Sequence, residues 1–301
     1  MRKPLVIYHA DCTDGFAAAF SCWLKLGDKA EYVPMQYNQP FPYTPDLRQR
    51  DLYILDFSFP RDVTDSLFTN SKRVVWLDHH KTAFEMWCGK EQLQYLDLDG
   101  KHHIHLETKK SGAMLAWEYF HPGTEVPMLI RHIDDRDRWQ FKLEGSKELH
   151  AALASYKPWS FEQWENILDL RDPVAVEQMI DEGWAILRAQ DAHVKSSLKQ
   201  ARKCVIRGGH GNGWETAYDF ELPGLALNTP SHMSEVGHEL ANSSGTFGLV
   251  YYIGSDNKVK CSLRSNGEYD VSTIAKSFGG GGHRNAAGFE TDIVTLMGWL
   301  K

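Results

Sequence analysis

Val74-Val75-Trp76-Leu77-Asp78-His79-His80 is the stretch that decides the fold. Four apolar residues with no polar interruption predict a strand buried on both faces, as in a parallel sheet covered by helices. The run ends in one carboxyl and two imidazoles. The same design occurs twice upstream. Leu52-Tyr53-Ile54-Leu55 leads into Asp56, and Leu5-Val6-Ile7-Tyr8 leads into His9-Ala10-Asp11-Cys12-Thr13-Asp14-Gly15. The segment from Phe16 to Leu26 is Ala-rich and amphipathic and predicts a helix. Ser111 to Phe120 predicts another, with Ser111 able to cap it. In open parallel sheets ligands bind outside the carboxyl ends of the strands. Three strand ends therefore bring these residues to one edge despite the tens of residues between them.

A lone Asp after a strand usually caps a helix. Asp56, followed by Ser58 and Pro60, fits that role by itself, and His79-His80 by itself fits a turn. Acids or imidazoles at all three strand ends are a different matter. Crowded carboxylates repel one another and resist burial, a conflict that a divalent cation removes. Mixed Asp/His donors suit Mn2+, Zn2+, Fe2+ or Co2+ better than Ca2+ or Mg2+. Two such ions about 3.5–4 Å apart can clamp a phosphoryl oxygen and generate hydroxide for in-line attack. A fourth piece is Arg131-His132-Ile133-Asp134-Asp135-Arg136-Asp137-Arg138-Trp139. Alternating charge often marks a salt-bridged surface helix. Here it follows the apolar Met128-Leu129-Ile130, so one Asp is expected to turn inward; Asp135 is favoured, with Asp134 and Asp137 as alternatives.

A fifth piece is Phe278-Gly279-Gly280-Gly281-Gly282-His283-Arg284-Asn285-Ala286-Ala287-Gly288-Phe289. Bare backbone N–H groups at Gly280, Gly281 and Gly282, the cations at His283 and Arg284, and an expected helix start predict a cradle for phosphate or carboxylate. Upstream, Leu263-Arg264-Ser265 follows an expected strand over Val259–Ser262, and Arg264 could fork onto a phosphate.

The 301 residues carry 42% hydrophobic and 24% charged side chains, the balance of an ordinary globular protein. A net charge of −7 argues against a grip on long duplex DNA, whose affinity rests on phosphate contacts. A small anionic substrate in a local pocket remains compatible with it. The five cysteines, at 12, 22, 88, 204 and 261, are scattered and odd in number, which suggests free thiols in the cytoplasm. No apolar run approaches the ~20 residues of a membrane span, and the short apolar run after Pro4 does not make a signal peptide. The predicted organisation is a parallel α/β domain over residues 1–185, a helical connector over 186–203 and an α+β domain over 204–301. The long helical pattern starts near Asp172, and the last domain is rich in Gly turns at Gly208-Gly209, Gly211-Asn212-Gly213 and Asn266-Gly267.

Taken in order, His9…Asp14-Gly15, Asp56, Asp78-His79-His80, Ser111-Gly112-Ala113, an Asp near 135 and the Gly-rich His283-Arg284-Asn285 segment resemble the DHH phosphoesterase superfamily with a C-terminal DHH-associated domain, close to its nanoRNase and oligoribonuclease members. The matching parts span almost the whole chain. The resemblance implies two Mn2+ ions, with Mg2+ or Co2+ as substitutes. His9 would ligate one ion and Asp14 the other, Asp56 would bridge them, and His79 and Asp135 would complete the second site. His80 would meet the substrate phosphate, and Asp78 would orient the His pair. The C-terminal domain would close over the cleft and hold the far end of the substrate through Arg264, His283 and Arg284. The family commonly has an Asp two residues before the one matching Asp14. Here Cys12 stands there and Asp11 one position earlier, so either Asp11 takes the role or the first site is weaker. The expected reaction is hydrolysis of short oligonucleotides or dinucleotides by metal-bound hydroxide. The alternatives are a polyphosphate, pyrophosphate or nucleotide 3′-phosphate hydrolase and a nucleotide-binding sensor without catalysis.

Overall fold

The structure is a computed structural model that describes residues 2–37, 39–41, 47–88, 96–98, 100–167, 173–208 and 220–301. The chain divides into two compact units, Met1–Leu187 and Arg188–Lys301. The first contains β1 (Leu5–His9), α1 (Thr13–Leu26), β2 (Glu31–Met35), β3 (Asp51–Leu55), α2 (Arg61–Asn70), β4 (Arg73–Asp78), α3 (Lys81–Cys88), β5 (Leu96–Leu98), β6 (His102–Leu106), α4 (Gly112–Phe120), α5 (Met128–Asp137), α6 (Ser146–Ser155) and α7 (Phe161–Ile167). The boundary between the units falls within α8 (Pro173–Leu198). The second contains β7 (Arg202–Gly208), β8 (Phe220–Asn228), α9 (Met233–Ser244), β9 (Phe247–Ile253), β10 (Val259–Ser265), α10 (Val271–Ser277), β11 (Gly281–His283), β12 (Ala286–Thr291) and α11 (Ile293–Trp299). The α/β class with a smaller α+β C-terminal unit is thus the one the sequence predicts.

The first sheet runs β2-β1-β3-β4-β6-β5, parallel except for β5. Its three apolar strands divide by alternation. Val6, Tyr8, Tyr53, Leu55, Val75 and Leu77 enter one core with α1 and α4, while Leu5, Ile7, Leu52, Ile54, Val74 and Trp76 enter another. Burial on both faces is why these strands read as unbroken apolar runs. Because β1, β3 and β4 are parallel neighbours, His9, Asp56 and Asp78 all stand at their carboxyl ends. Ser111 caps α4, its hydroxyl accepting from the Met114 N–H at 3.3 Å.

The second sheet runs β11-β12-β10-β9-β8-β7 and is antiparallel except for the β8–β9 pair. The glycine-rich segment, expected to open a helix, is instead the β11–β12 hairpin. Its glycines serve close packing. A Cβ on Gly280 would lie 2.1 Å from the Gly288 carbonyl oxygen, and one on Gly282, whose φ is +137°, would lie 2.5 Å from that of Ala286. Residues 209–219 lie outside the described residues, and with them the turns expected at Gly209 and at Gly211-Asn212-Gly213. Among the described residues no helix is long and apolar enough to cross a membrane.

Candidate metal centre

Asp56 is the first residue beyond β3, and its φ of 52° is a left-handed conformation that Asp tolerates better than most residues. Its carboxylate is 1% exposed and stands between neighbouring strand ends, 3.5 Å from His9 Nδ1 and 3.1 Å from His79 Nε2. Two glycines make room for this arrangement. A Cβ on Gly112 would lie 2.4 Å from the Cβ of Asp56, and one on Gly15 would lie 2.3 Å from the His9 carbonyl oxygen. Asp14, in the first turn of α1, accepts hydrogen bonds from the Gly112 N–H at 2.6 Å and the Ala113 N–H at 2.9 Å. It thereby occupies the unsatisfied amino end of α4, where a carboxylate is favoured.

His79 Nε2 faces three carboxylates, Asp56 at 3.1 Å and Asp14 and Asp137 at 3.5 Å each. Burial by itself would lower the His79 pKa, but contact with Asp56 and the charges of Asp137 and Asp14 take it well above the ordinary value. Burial pushes Asp14 well above the carboxylate range, reinforced by Asp56 and Asp137. Burial also opposes ionisation of Asp56, yet His79, His9 and His80 hold its pKa well below the usual range. Asp78 is fully engaged. Its carboxylate accepts from the His79 N–H at 2.7 Å, the His80 N–H at 3.2 Å, His80 Nδ1 at 2.7 Å and the Ser58 hydroxyl.

A divalent cation fits this donor set. Both Asp56 oxygens and His9 Nδ1 are buried without a hydrogen-bond partner. One imidazole cannot satisfy the three carboxylates around His79, whereas a cation can. Asp137 ends α5, where a carboxylate meets the negative end of the helix dipole, a cost that a bound cation offsets. Ligand-type atoms of Asp14, Asp56 and His79 lie within 4.8 Å of one another, and so do those of His9, Cys12 and Asp56. The two groups share Asp56.

The three candidate acids of α5 have separate fates. Asp134 accepts from the Ser111 N–H at 2.7 Å and pairs with Arg138. Asp135, favoured from the sequence, is turned away from the cluster. It accepts from the N–H groups of Lys142 and Leu143 and from the Ser146 hydroxyl, at 2.9, 3.1 and 2.7 Å. Asp137 is the acid beside His79. Burial opposes ionisation of Asp135, but these donors hold its pKa below the usual value. Its stabilisation is therefore present above the unfolded-state value of about 3.9 and lost as pH falls through the folded-state value. Asp135→Ala should cost about 2–3 kcal/mol of stability and leave metal affinity unchanged. Asp137→Asn should do the reverse, as denaturant melts and metal titrations of the two variants would reveal.

Asp11 is also turned away. It is exposed with φ 56°, and its carboxylate accepts from Gln36 Nε2 at 3.2 Å. Cys12, the next residue, joins the His9–Asp56 group instead. In the C-terminal unit, Arg264 lies within β10, not beyond it, and donates to the Ser262 and Ser234 hydroxyls at 2.9 and 2.7 Å. The Ser265 hydroxyl accepts from the N–H groups of Gly267 and Tyr269. His283 ends β11, and Arg284 is exposed and donates to the carbonyls of Gly267 and Glu268. Two features of the first unit gave no sequence signal. Tyr37 is exposed, stacked on Phe57 with ring centroids 4.7 Å apart and 5.2 Å from the His9 ring. A small cleft of about 30 Å³ adjoins the cluster, its lining including Cys12, Thr13, Asp14, Arg136, Asp137 and His150.

Comparison with known proteins bears on this geometry. The DHHA1 domain family model matches residues 228–293. An uncharacterised protein of Acanthamoeba polyphaga mimivirus is 30% identical over 305 residues, covering 95% of this chain and 67% of its own length. The oligoribonuclease NrnB of Bacillus subtilis is 22% identical over 250 residues, covering 80% of this chain and 59% of its own. The chain thus spans roughly three fifths to two thirds of these relatives. Among solved structures, RecJ from Thermus thermophilus in complex with Mn2+ shares the fold, with a TM-score of 0.50, 14% identity, 97% of this chain and 50% of that chain covered.

Proposed function

Since the chain belongs to the DHH superfamily of phosphoesterases and carries a DHHA1 domain at its C-terminal end, we propose that it is a divalent-metal-dependent phosphodiesterase acting on dinucleotides and oligonucleotides of a few residues. The observation that carries this reading is Asp56, whose buried carboxylate belongs to both donor groups. Asp14, Asp56, His79 and Asp137 are assigned to one ion, and His9 and Asp56 to the other. Mn2+, the ion in the RecJ complex, is the first candidate for the ion beside His79. Such ions polarise phosphoryl oxygens and activate water when bound.

The remaining steps belong to the protein. Asp78 accepts from Nδ1 of His80, and Nε2 is assigned to a non-bridging phosphate oxygen, to which it donates when the ring carries protons on both nitrogens. The exposed face of Tyr37 offers a platform on which a base can stack, a contact worth about 1–3 kcal/mol. Arg264, Ser265, His283, Arg284 and the Gly280–Gly282 backbone of the DHHA1 unit are assigned to holding substrate. The name of the NrnB relative supports the oligonucleotide class, and the net charge of −7 argues against a continuous track for long strands.

A length series tests the proposal. With metal present, kcat/KM should peak at about two to five nucleotides, because binding energy at a second nucleotide can position the reacting phosphate. Tyr37→Ala should raise KM about tenfold with little change in kcat. Arg284→Ala should flatten the length preference while sparing a small activated diester. Equal rates on a dinucleotide and a long strand would refute the short-substrate reading. Faster cleavage of polyphosphate would move the assignment to that class.

A further inference from the structure

We propose that Cys12 is a thiolate ligand of the ion held by His9 and Asp56, which makes one of the two sites a mixed nitrogen, sulfur and oxygen site that prefers Zn2+, Co2+ or Fe2+ to Mn2+. This rests on the metal-centre reading above and goes beyond it in ligand and ion identity. Three observations carry it. Sγ of Cys12, a His9 ring nitrogen and an Asp56 oxygen lie within 4.8 Å of one another, a span that one ion with bonds of about 2.0–2.3 Å can bridge. Asp56 is 1% exposed, and its oxygens and His9 Nδ1 lack hydrogen-bond partners, so the group holding Cys12 is polar and unsatisfied. Asp11 is engaged elsewhere, so the sulfur is the donor that this loop supplies.

The alternative role for a buried cysteine is as a small space-filler among apolar side chains. Cys12 does not fit that description. It is the N-cap residue of α1 with no side-chain capping bond, it is half-buried, and its sulfur lies beside the His9 ring and the Asp56 carboxylate. A thiol that coordinates a cation is deprotonated. The S–H bond breaks, the sulfur lone pair forms the bond to the ion, the proton leaves to solvent, and no electron is transferred. A soft sulfur donor then tilts selectivity towards thiophilic ions.

The test is a Co2+ titration of the metal-free full-length chain, read by absorption, with Cys12→Ser and Cys12→Asp alongside and circular dichroism to verify folding. The expected result is a near-ultraviolet thiolate-to-cobalt band in the unmodified protein that is absent from both variants. Cys12→Asp should still give the visible cobalt spectrum. Its preference for Zn2+ over Mn2+ in competition should fall by about tenfold or more. A visible cobalt spectrum without the charge-transfer band would overturn the proposal and leave the metal centre standing. A band that persists in Cys12→Ser would also overturn it, since another cysteine would then be the donor. No cobalt binding by any of the three proteins would overturn the metal-centre reading and this inference with it.

Discussion

Asp56→Asn is expected to lower kcat/KM by at least about a thousandfold, equivalent to about 4 kcal/mol of transition-state stabilisation, with the fold retained. Both donor groups contain Asp56, so its loss weakens both ions at once, whereas loss of His9 or Asp14 weakens one. The substitution is nearly isosteric, and Asn tolerates the left-handed φ of 52° as well as Asp does. It also keeps clear of Gly112, whose backbone approaches the Asp56 side chain too closely for a Cβ. Steady-state kinetics on a dinucleotide, together with circular dichroism, measure this. A variant with more than a tenth of the parent activity would remove Asp56 from the centre.

Metal removal should have the second large effect, and its size should depend on pH. Exhaustive chelation is expected to abolish turnover. It should also withdraw the linkage stabilisation of the folded state, about 2.7 kcal/mol for an ion at a hundred times its Kd. The pH dependence follows from the raised folded-state values of His79, His9 and Asp14, all of the same sign. His79 has a raised folded-state pKa, so its stabilisation is fully present below the unfolded value of about 6.5 and is lost as pH rises through the folded value. Asp14 is also raised and likewise loses stability once it must ionise. The metal-free protein should therefore begin to weaken as pH rises above about 3.9, where Asp14 of the unfolded chain ionises, and weaken further above about 6.5, while the loaded protein should not. Apparent metal affinity should increase over the same interval, because each bound ion displaces protons. Thermal melts of both forms from acid to alkaline pH would reveal the widening gap. Parallel curves would show that these groups do not face a cation.

The parts of the fold legible in the sequence are those that one local signal determines. β1, β3 and β4 are buried on both faces and so read as apolar runs. β2 escapes because it is an edge strand, with Pro34 in it and largely exposed or half-buried side chains. β6 alternates histidine with Ile104 and Leu106, a pattern less distinct than an apolar run. At the candidate centre, strand ends bring His9, Asp56, Asp78, His79 and His80 together by sheet topology alone. The acid from α5 was not fixed in this way. Asp134, Asp135 and Asp137 differ only in how the helix is rotated, and a backbone bond from Ser111 and the loop over Lys142–Ser146 decide which two are used elsewhere. Cys12 and Tyr37 lie in loops, where no periodicity predicts which side chain turns inward. The glycine run gave the wrong element because φ > 0 and close approach are shared by phosphate loops and tight hairpins.

Crystals of the metal-loaded protein, measured just above and just below the absorption edge of the bound ion, test the central claim most directly. The account predicts anomalous peaks beside the Asp56 carboxylate, one within bonding distance of His79 and the other of His9. Peaks confined to other acidic clusters, with none beside Asp56, would contradict it.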